Sequence, residues 1–516
     1  MRFPPSHSCL SCHHAVSRRG FLQGCGAALA AGRMAPASAA EPDEGRPVRV
    51  ALVYLSKQGS SWPSPAFDVA RREREVLAAL TKGCPGVEFV PLAVRHPGET
   101  KKALAVKDQV DGYLVYVVTL TWNLRGALSA VGELGKPLVV ADEFLGGCGV
   151  FLTGVSALRR RGIAVAAVSS TRLDDVVAVA RCFADVRRPG TTPASFAARC
   201  QRVYRATMPQ PGEMRCREDA VRLTPIGECV ERFRKAKFLI VGRGHAGREA
   251  DFLGAKGLFV GFDQLQALYD QADEEEAAEW AQQWAKRAEK VVEASPQWMR
   301  KAGAVYLATL ELLRRHGTDS VTMNCLGGFA SGRLPAYPCL GFMQLLDDGG
   351  QGVCEAMADD TLSMLMARIL TGRGGYVSDP ALDTSRNRVV YAHCVATTRP
   401  FGPRGEANPF RVRTLHNRDP RGTCAQSFLP EGYMTTSFRT RYRSKQMVVH
   451  QAKAVGNLDA DRGCRTQLVG EVRGDIAKLF AHWDRFGWHR VTVYGDVKEP
   501  LVEFAKALGL AVVEEA

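Results

Sequence analysis

Four residues of this chain have the types and positions to share a cation: Glu355, Asp379, His393 and His489. Each is expected at the boundary of an element. Glu355 opens an amphipathic run in which Leu362, Leu365, Met366, Ile369 and Leu370 recur at helical spacing. Asp379 follows the apolar pair Tyr376-Val377 and precedes Pro380, where a strand is expected to end. His393 closes Val389-Val390-Tyr391-Ala392, a buried strand by composition, and His489 stands in Gly487-Trp488-His489-Arg490, just ahead of the strand Val491–Tyr494. Oxygen and imidazole donors fixed on rigid elements suit an octahedral Mn²⁺ or Mg²⁺ better than a tight zinc cage, which favours cysteine and histidine. Taken singly, these residues have ordinary explanations: an N-capping glutamate, a turn aspartate, a core histidine. The functional reading rests on all four together.

Four segments carry a resemblance to a known family. They are Gly352-Val353-Cys354-Glu355-Ala356, Ser378-Asp379-Pro380 about 24 residues later, Tyr391-Ala392-His393-Cys394, and the run from Gly487 to Asp496. Through them, roughly residues 320–512 resemble the L-fucose/L-arabinose isomerases. The resemblance implies a Mn²⁺ held by Glu355, Asp379, His393 and His489. It implies aldose–ketose isomerisation of an open-chain sugar through an enediol, with Glu355 and Asp379 as the proton-transferring groups. It also implies two α/β domains joined to a C-terminal β domain, and a homo-oligomer, trimer or hexamer, with sites at subunit contacts. One position departs: two places after the glutamate the family carries an acid, and here Met357 stands, with Asp359 and Asp360 as the nearest substitutes. His450 competes for the fourth ligand role. His489 is preferred because its surroundings match the closing motif and Trp488 beside it could pack on a sugar's apolar face.

The elements that must position these groups follow from the rest of the chain. A length of 516 residues calls for two or three domains. Hydrophobic content of 46% and charged content of 24% are those of an ordinary globular protein. No apolar run reaches the roughly 18–20 residues of a membrane span, so no membrane anchor is expected. Residues 1–39 read as a twin-arginine export signal. Arg18-Arg19 precede a mild apolar stretch and the small-residue site Ala37-Ser38-Ala39, which implies a periplasmic destination. Cys9-Leu10-Ser11-Cys12-His13 spells a haem attachment motif but would leave with that leader. The net charge of +14 favours anionic surfaces, yet no nucleic-acid motif accompanies it. Cys354 and Cys394, beside the candidate ligands, read as small buried apolar residues.

Residues 48–186 alternate apolar strands with helices, the pattern of a doubly wound parallel sheet. Ser56, Lys57, Thr119, Trp122 and Asn123 fall just past strand ends, where such sheets bind ligands. Trp122 and Asn123 are therefore candidate substrate-binding residues with Trp488. An Arg- and Pro-rich stretch, 187–211, reads as a linker. A second α/β domain is expected over 213–372. It contains Gly242-x-Gly244-x-x-Gly247 directly after the strand Lys237–Val241, then a short helix, a strand and Asp263. That is the dinucleotide fingerprint, and an exported NAD(P)-dependent sugar oxidoreductase is the rival enzyme class. A metal- and sugar-binding protein without turnover is the other alternative. From 373 to 516 short strands and turns predominate, as in a barrel-like β domain. Within it Arg439, Arg441 and Arg443 alternate and read as one charged edge.

Overall fold

Five apolar runs make the first sheet because both of its faces are covered by helices, which removes any need for polar alternation. The strands are β1 (Val48–Leu55), β2 (Val87–Val94), β3 (Gly112–Val117), β4 (Leu138–Asp142) and β5 (Ala166–Val168), all parallel in the order β2-β1-β3-β4-β5. The structure is a computed structural model that describes residues 46–516. The twin-arginine pattern, the Ala37–Ala39 site and the haem-like motif lie outside the described residues.

The stretch expected as a linker holds a helix, Pro193–Ala206. Thr192 and Ser195 form a reciprocal capping box with Pro193 at the first helical position, a start signal that the local richness in arginine and proline conceals. The segment without helix or strand is 207–225 instead.

The second sheet comprises β6 (Lys237–Val241), β7 (Glu249–Phe252), β8 (Ala255–Val260), β10 (Ser320–Met323) and β11 (Gln351–Cys354), in the order β11-β10-β6-β8-β7; β9 (Lys290–Val291) lies outside it. All its strands are parallel except β7, which forms an antiparallel hairpin with β8. This corrects the dinucleotide fingerprint. The chain leaves Gly247 into a strand, not a helix, so no helix N-terminus follows the glycines to receive a pyrophosphate. Gly242, Gly244 and Gly247 all have φ between 74° and 79°, and a Cβ on Gly242 would lie 2.1 Å from the Phe262 ring. These glycines serve a tight turn and close packing. Asp263 lies in the first turn of the helix Phe262–Tyr269.

The remaining strands are β12 (Tyr376–Asp383), β13 (Arg388–His393), β14 (Phe410–Arg413), β15 (Cys424–Ser427), β16 (Met434–Arg441), β17 (Gln446–Asn457), β18 (Thr466–Arg473), β19 (Arg490–Tyr494) and β20 (Ala511–Glu514). Six of them close an antiparallel barrel, β16-β19-β12-β13-β18-β17 and back to β16, with β20 added parallel to β17. β14 and β15 stand apart in a small sheet with β9. Alternate barrel residues join different cores. Val390 and Ala392 pack in the cluster that includes the second sheet, while Val389 and Tyr391 pack with the first. Contacts run through Pro47–Ala516 as one compact unit. Among the described residues no helix is long and apolar enough to cross a membrane.

Candidate active site

A cavity of about 260 Å³ lies where the carboxyl ends of both parallel sheets meet the rim of the barrel. Loops after the first sheet's strands bring Trp62 and Trp122, the turn after β11 brings Glu355, and the barrel brings Asp379, His393 and His489.

Strand register places two of these side by side. Ser378 of β12 pairs antiparallel with Arg490, the first residue of β19, so the next step sets Asp379 beside His489. Asp379 Oδ1 lies 3.1 Å from His489 Nε2. On the other flank Asp379 pairs with Ala392, one residue before His393. Asp379 is therefore inside β12 rather than at its end. Beyond Ser378 the β19 side of β12 is unpaired, which is why Pro380 is tolerated within the strand.

Glu355 does not open a helix. The helix begins at Ala358, and Glu355 and Ala356 form the turn before it with φ of 67° and 51°. Neither is glycine, and such backbone costs about 1–3 kcal/mol per residue, a strain that recurs at functional sites. The turn is held by the Ala356 amide donating to Met323 O at 3.0 Å. It brings Glu355 Oε2 to 3.8 Å from His489 Nε2.

Behind this front stands a buried support. Asp360, with no solvent exposure, accepts from His489 Nδ1 at 2.6 Å and lies 3.0 Å from Arg439 Nε. Burial disfavours the charged imidazole, but the Asp360 carboxylate, then Asp379, outweigh it and hold the His489 pKa well above the usual histidine range. Asp360 is also buried, yet Arg439 and then His489 keep its carboxyl below its ordinary value. Asp359 is spent elsewhere, accepting from the Tyr442 amide at 3.0 Å and facing Arg441. Of the two acids near Met357, Asp360 thus serves the site, and it does so by orienting His489. The arginines are not an exposed edge. β19 pairs with β16 only as far as Phe438, but Arg439 is 3% exposed against Asp360, Arg441 faces Asp359, and Arg443 lies beyond the strand against Tyr442.

The donors fit a small hard cation. Ligand atoms of Glu355, His393 and His489 all lie within 4.8 Å of one another. His393 Nδ1 is buried without a hydrogen-bond partner, a costly state that a cation would relieve, whereas Asp379 Oδ1 already faces His489 Nε2. The group of three holds one carboxylate and two imidazoles, donors that Mn²⁺ or Mg²⁺ accepts, and Asp379 stands beside it against His489. Trp122 and Trp488 meet edge to face at 6.0 Å and both line the cavity. Asn123 does not join them. It is exposed and outside the lining, because only one face of its short helical turn looks inward.

His450 lies elsewhere, between Tyr391 OH at 2.6 Å and Glu515 Oε1 at 2.9 Å. The residues that the chain order conceals are Trp62, His416 and Cys464. Asp360 is legible as an acid near Met357 and Arg439 as one of the alternating arginines, but their pairing behind His489 is not. No protein-family model matches the chain, and no curated protein matches it.

Proposed function

We propose that this protein is a metal-dependent aldose–ketose isomerase of the L-fucose/L-arabinose type. The observation that carries the reading is the convergence of Glu355, Asp379, His393 and His489, from four separate elements, on one cavity with tryptophan walls. Its volume, just under the ~300–1,000 Å³ common for small-ligand pockets, suits a single sugar. When bound, a Mn²⁺ or Mg²⁺ supplies Lewis-acid stabilisation of negative charge on the sugar oxygens.

The protein's own groups would divide the remaining work. Glu355 is the more open carboxylate, with 33% side-chain exposure against 14% for Asp379, and it lies farther from His489. It is assigned the proton transfer between sugar C2 and C1, and Asp379 the hydroxyl proton. Asp360 keeps His489 oriented with Nε2 toward the cavity. Trp488 and Trp122 offer an apolar wall for the sugar carbons.

The test is to incubate purified protein with Mn²⁺ and a panel of aldoses, and to follow ketose formation. Turnover that is lost in Glu355→Gln supports the reading. Metal uptake without turnover of any aldose reduces it to a metal- and sugar-binding protein. The same reading extends to export by the twin-arginine route and to a trimer or hexamer. N-terminal sequencing of periplasmic material and light scattering of the purified protein test these two points.

A further inference from the structure

A second set of donors lines the same cavity and has no role in the proposed isomerisation. Cys394 Sγ lies 3.3 Å from His416 Nδ1, and Cys464 Sγ lies 3.5 Å from the same nitrogen. The three donor atoms are all within 4.8 Å of one another. They come from separate places: Cys394 directly follows β13, His416 stands three residues past β14, and Cys464 two before β18. Cys424, at the start of β15, is buried nearby with its thiol donating to Thr414 O at 3.5 Å and is not one of the three donors. None of these cysteines is in a disulfide.

Buried cysteine is more often a small apolar residue than a ligand. Three observations argue otherwise here. One imidazole nitrogen can make a single hydrogen bond, as donor or acceptor, so two thiols aimed at Nδ1 exceed what hydrogen bonding can satisfy. The spacing also matches a shared cation. Bonds of about 2.3 Å to sulfur and 2.0–2.1 Å to nitrogen, at a tetrahedral angle, put the two donors about 3.5 Å apart. Finally, the site is braced. The fully buried Arg465 donates to Thr414 O at 2.8 Å and Leu415 O at 3.1 Å, fixing the segment that ends at His416. Trp62 packs edge-on against the His416 ring at 6.5 Å.

We propose that Cys394, His416 and Cys464 form a second metal site, for a thiophilic cation of the zinc class. The cavity would then hold two cations sorted by donor softness: sulfur for the zinc-class ion, carboxylate and imidazole for the harder one. The proposal does not depend on the isomerase reading.

Cobalt(II) is the probe. Metal-free full-length protein, kept reduced, is titrated with Co²⁺. A sulfur-to-cobalt charge-transfer band in the near ultraviolet is expected, retained in Glu355→Gln and absent from a Cys394→Ser/Cys464→Ser double variant. His416→Ala should weaken Co²⁺ binding at this band by more than about 100-fold, beyond the 10–100-fold of an outer-shell residue. Circular dichroism checks that the variants fold. If they do not, thiol counting on the wild type decides: Zn²⁺ should protect at least two thiols from a thiol reagent. No charge-transfer band, a band that survives in the double variant, or no protection by Zn²⁺ overturns the proposal. So does a Cys394–Cys464 disulfide forming with no metal uptake.

Discussion

Two buried imidazoles of the barrel region are held alike and face different surroundings. His489 Nδ1 bonds to Asp360 at 2.6 Å, and Asp360 pairs with Arg439. His450 Nδ1 bonds to Glu515 at 2.9 Å, and Glu515 pairs with Arg490 at 2.6 Å. Both are carboxylate–imidazole–guanidinium clusters sealed from water. The difference lies at the other ring nitrogen. His450 Nε2 is taken by the Tyr391 hydroxyl, whereas His489 Nε2 faces Asp379 and Glu355 across the cavity. A carboxylate behind a histidine sets which nitrogen is presented, and the neighbour in front decides whether that nitrogen packs or binds. The closed cluster also supports the open one. Arg490 follows His489 and donates to the backbone oxygens of Trp483, Gly487 and His489, so Glu515 fixes the loop that carries Trp488.

The sharpest way to break this comparison is to exchange the fates of its two sides. Under the proposed function, Glu355→Gln should lower aldose turnover by about 10²–10⁴-fold, the range for a lost acid–base group, and lose bound Mn²⁺. His450→Ala should keep the metal. Manganese analysis by mass spectrometry on both variants checks this, and Mn²⁺ retained in the first but lost from the second would reverse the assignment.

The closed cluster should answer in stability instead. Glu515→Ala leaves the fully buried Arg490 unpaired and should cost about 3–5 kcal/mol in urea denaturation. Burial raises the Glu515 carboxyl, but Arg490 and then His450 more than offset it and hold its pKa at about 2 against an ordinary 4.5. The lowered folded value means the stabilisation is complete above about pH 4.5 and is lost as the pH falls toward 2. It amounts to about 3 kcal/mol. Wild-type stability measured across that window should fall more steeply than that of Glu515→Gln.

On the open side, Asp360→Asn removes the charge behind His489 while keeping its shape. Mn²⁺ affinity should drop by about 10–100-fold, read by titration, because the ligand's orientation and basicity depend on that carboxylate. An unchanged affinity would mean that Asp360 only balances Arg439. The smallest effect is expected at Met357, which precedes the helix Ala358–Thr371 without a side-chain cap. Met357→Asp supplies a capping oxygen and should raise thermal stability by about 1 kcal/mol or less, since Asp359 and Asp360 stand close behind. It leaves Asp360 as the group that orients His489, so little change in metal affinity is expected.

Much of the fold was legible because local chemistry determines it. The five strands of the first sheet are apolar runs between turn signals, in the alternation with helices expected over 48–186. The helix Cys148–Arg160 has little amphipathic signature, because it is buried along most of its length and carries two glycines. The helix after Gly247 was expected from a motif, and the hairpin of β7 and β8 replaced it. A glycine pattern specifies a turn and leaves open which element comes next.

By itself the sequence determined the element types, the period-two faces of the barrel strands and four residues with ligand chemistry. Those depend on side-chain type and spacing over a few residues. Only the tertiary structure decided that Asp379 lies beside His489, since that follows from the pairing of Ser378 with Arg490, which are 112 positions apart in the chain. It also decided that Asp360 rather than Asp359 supports the site, that Asn123 turns away, and that Cys394 and Cys464 meet His416. Each of these is a contact between elements distant in the chain. Such contacts arise from sheet register and barrel closure, which no local pattern specifies.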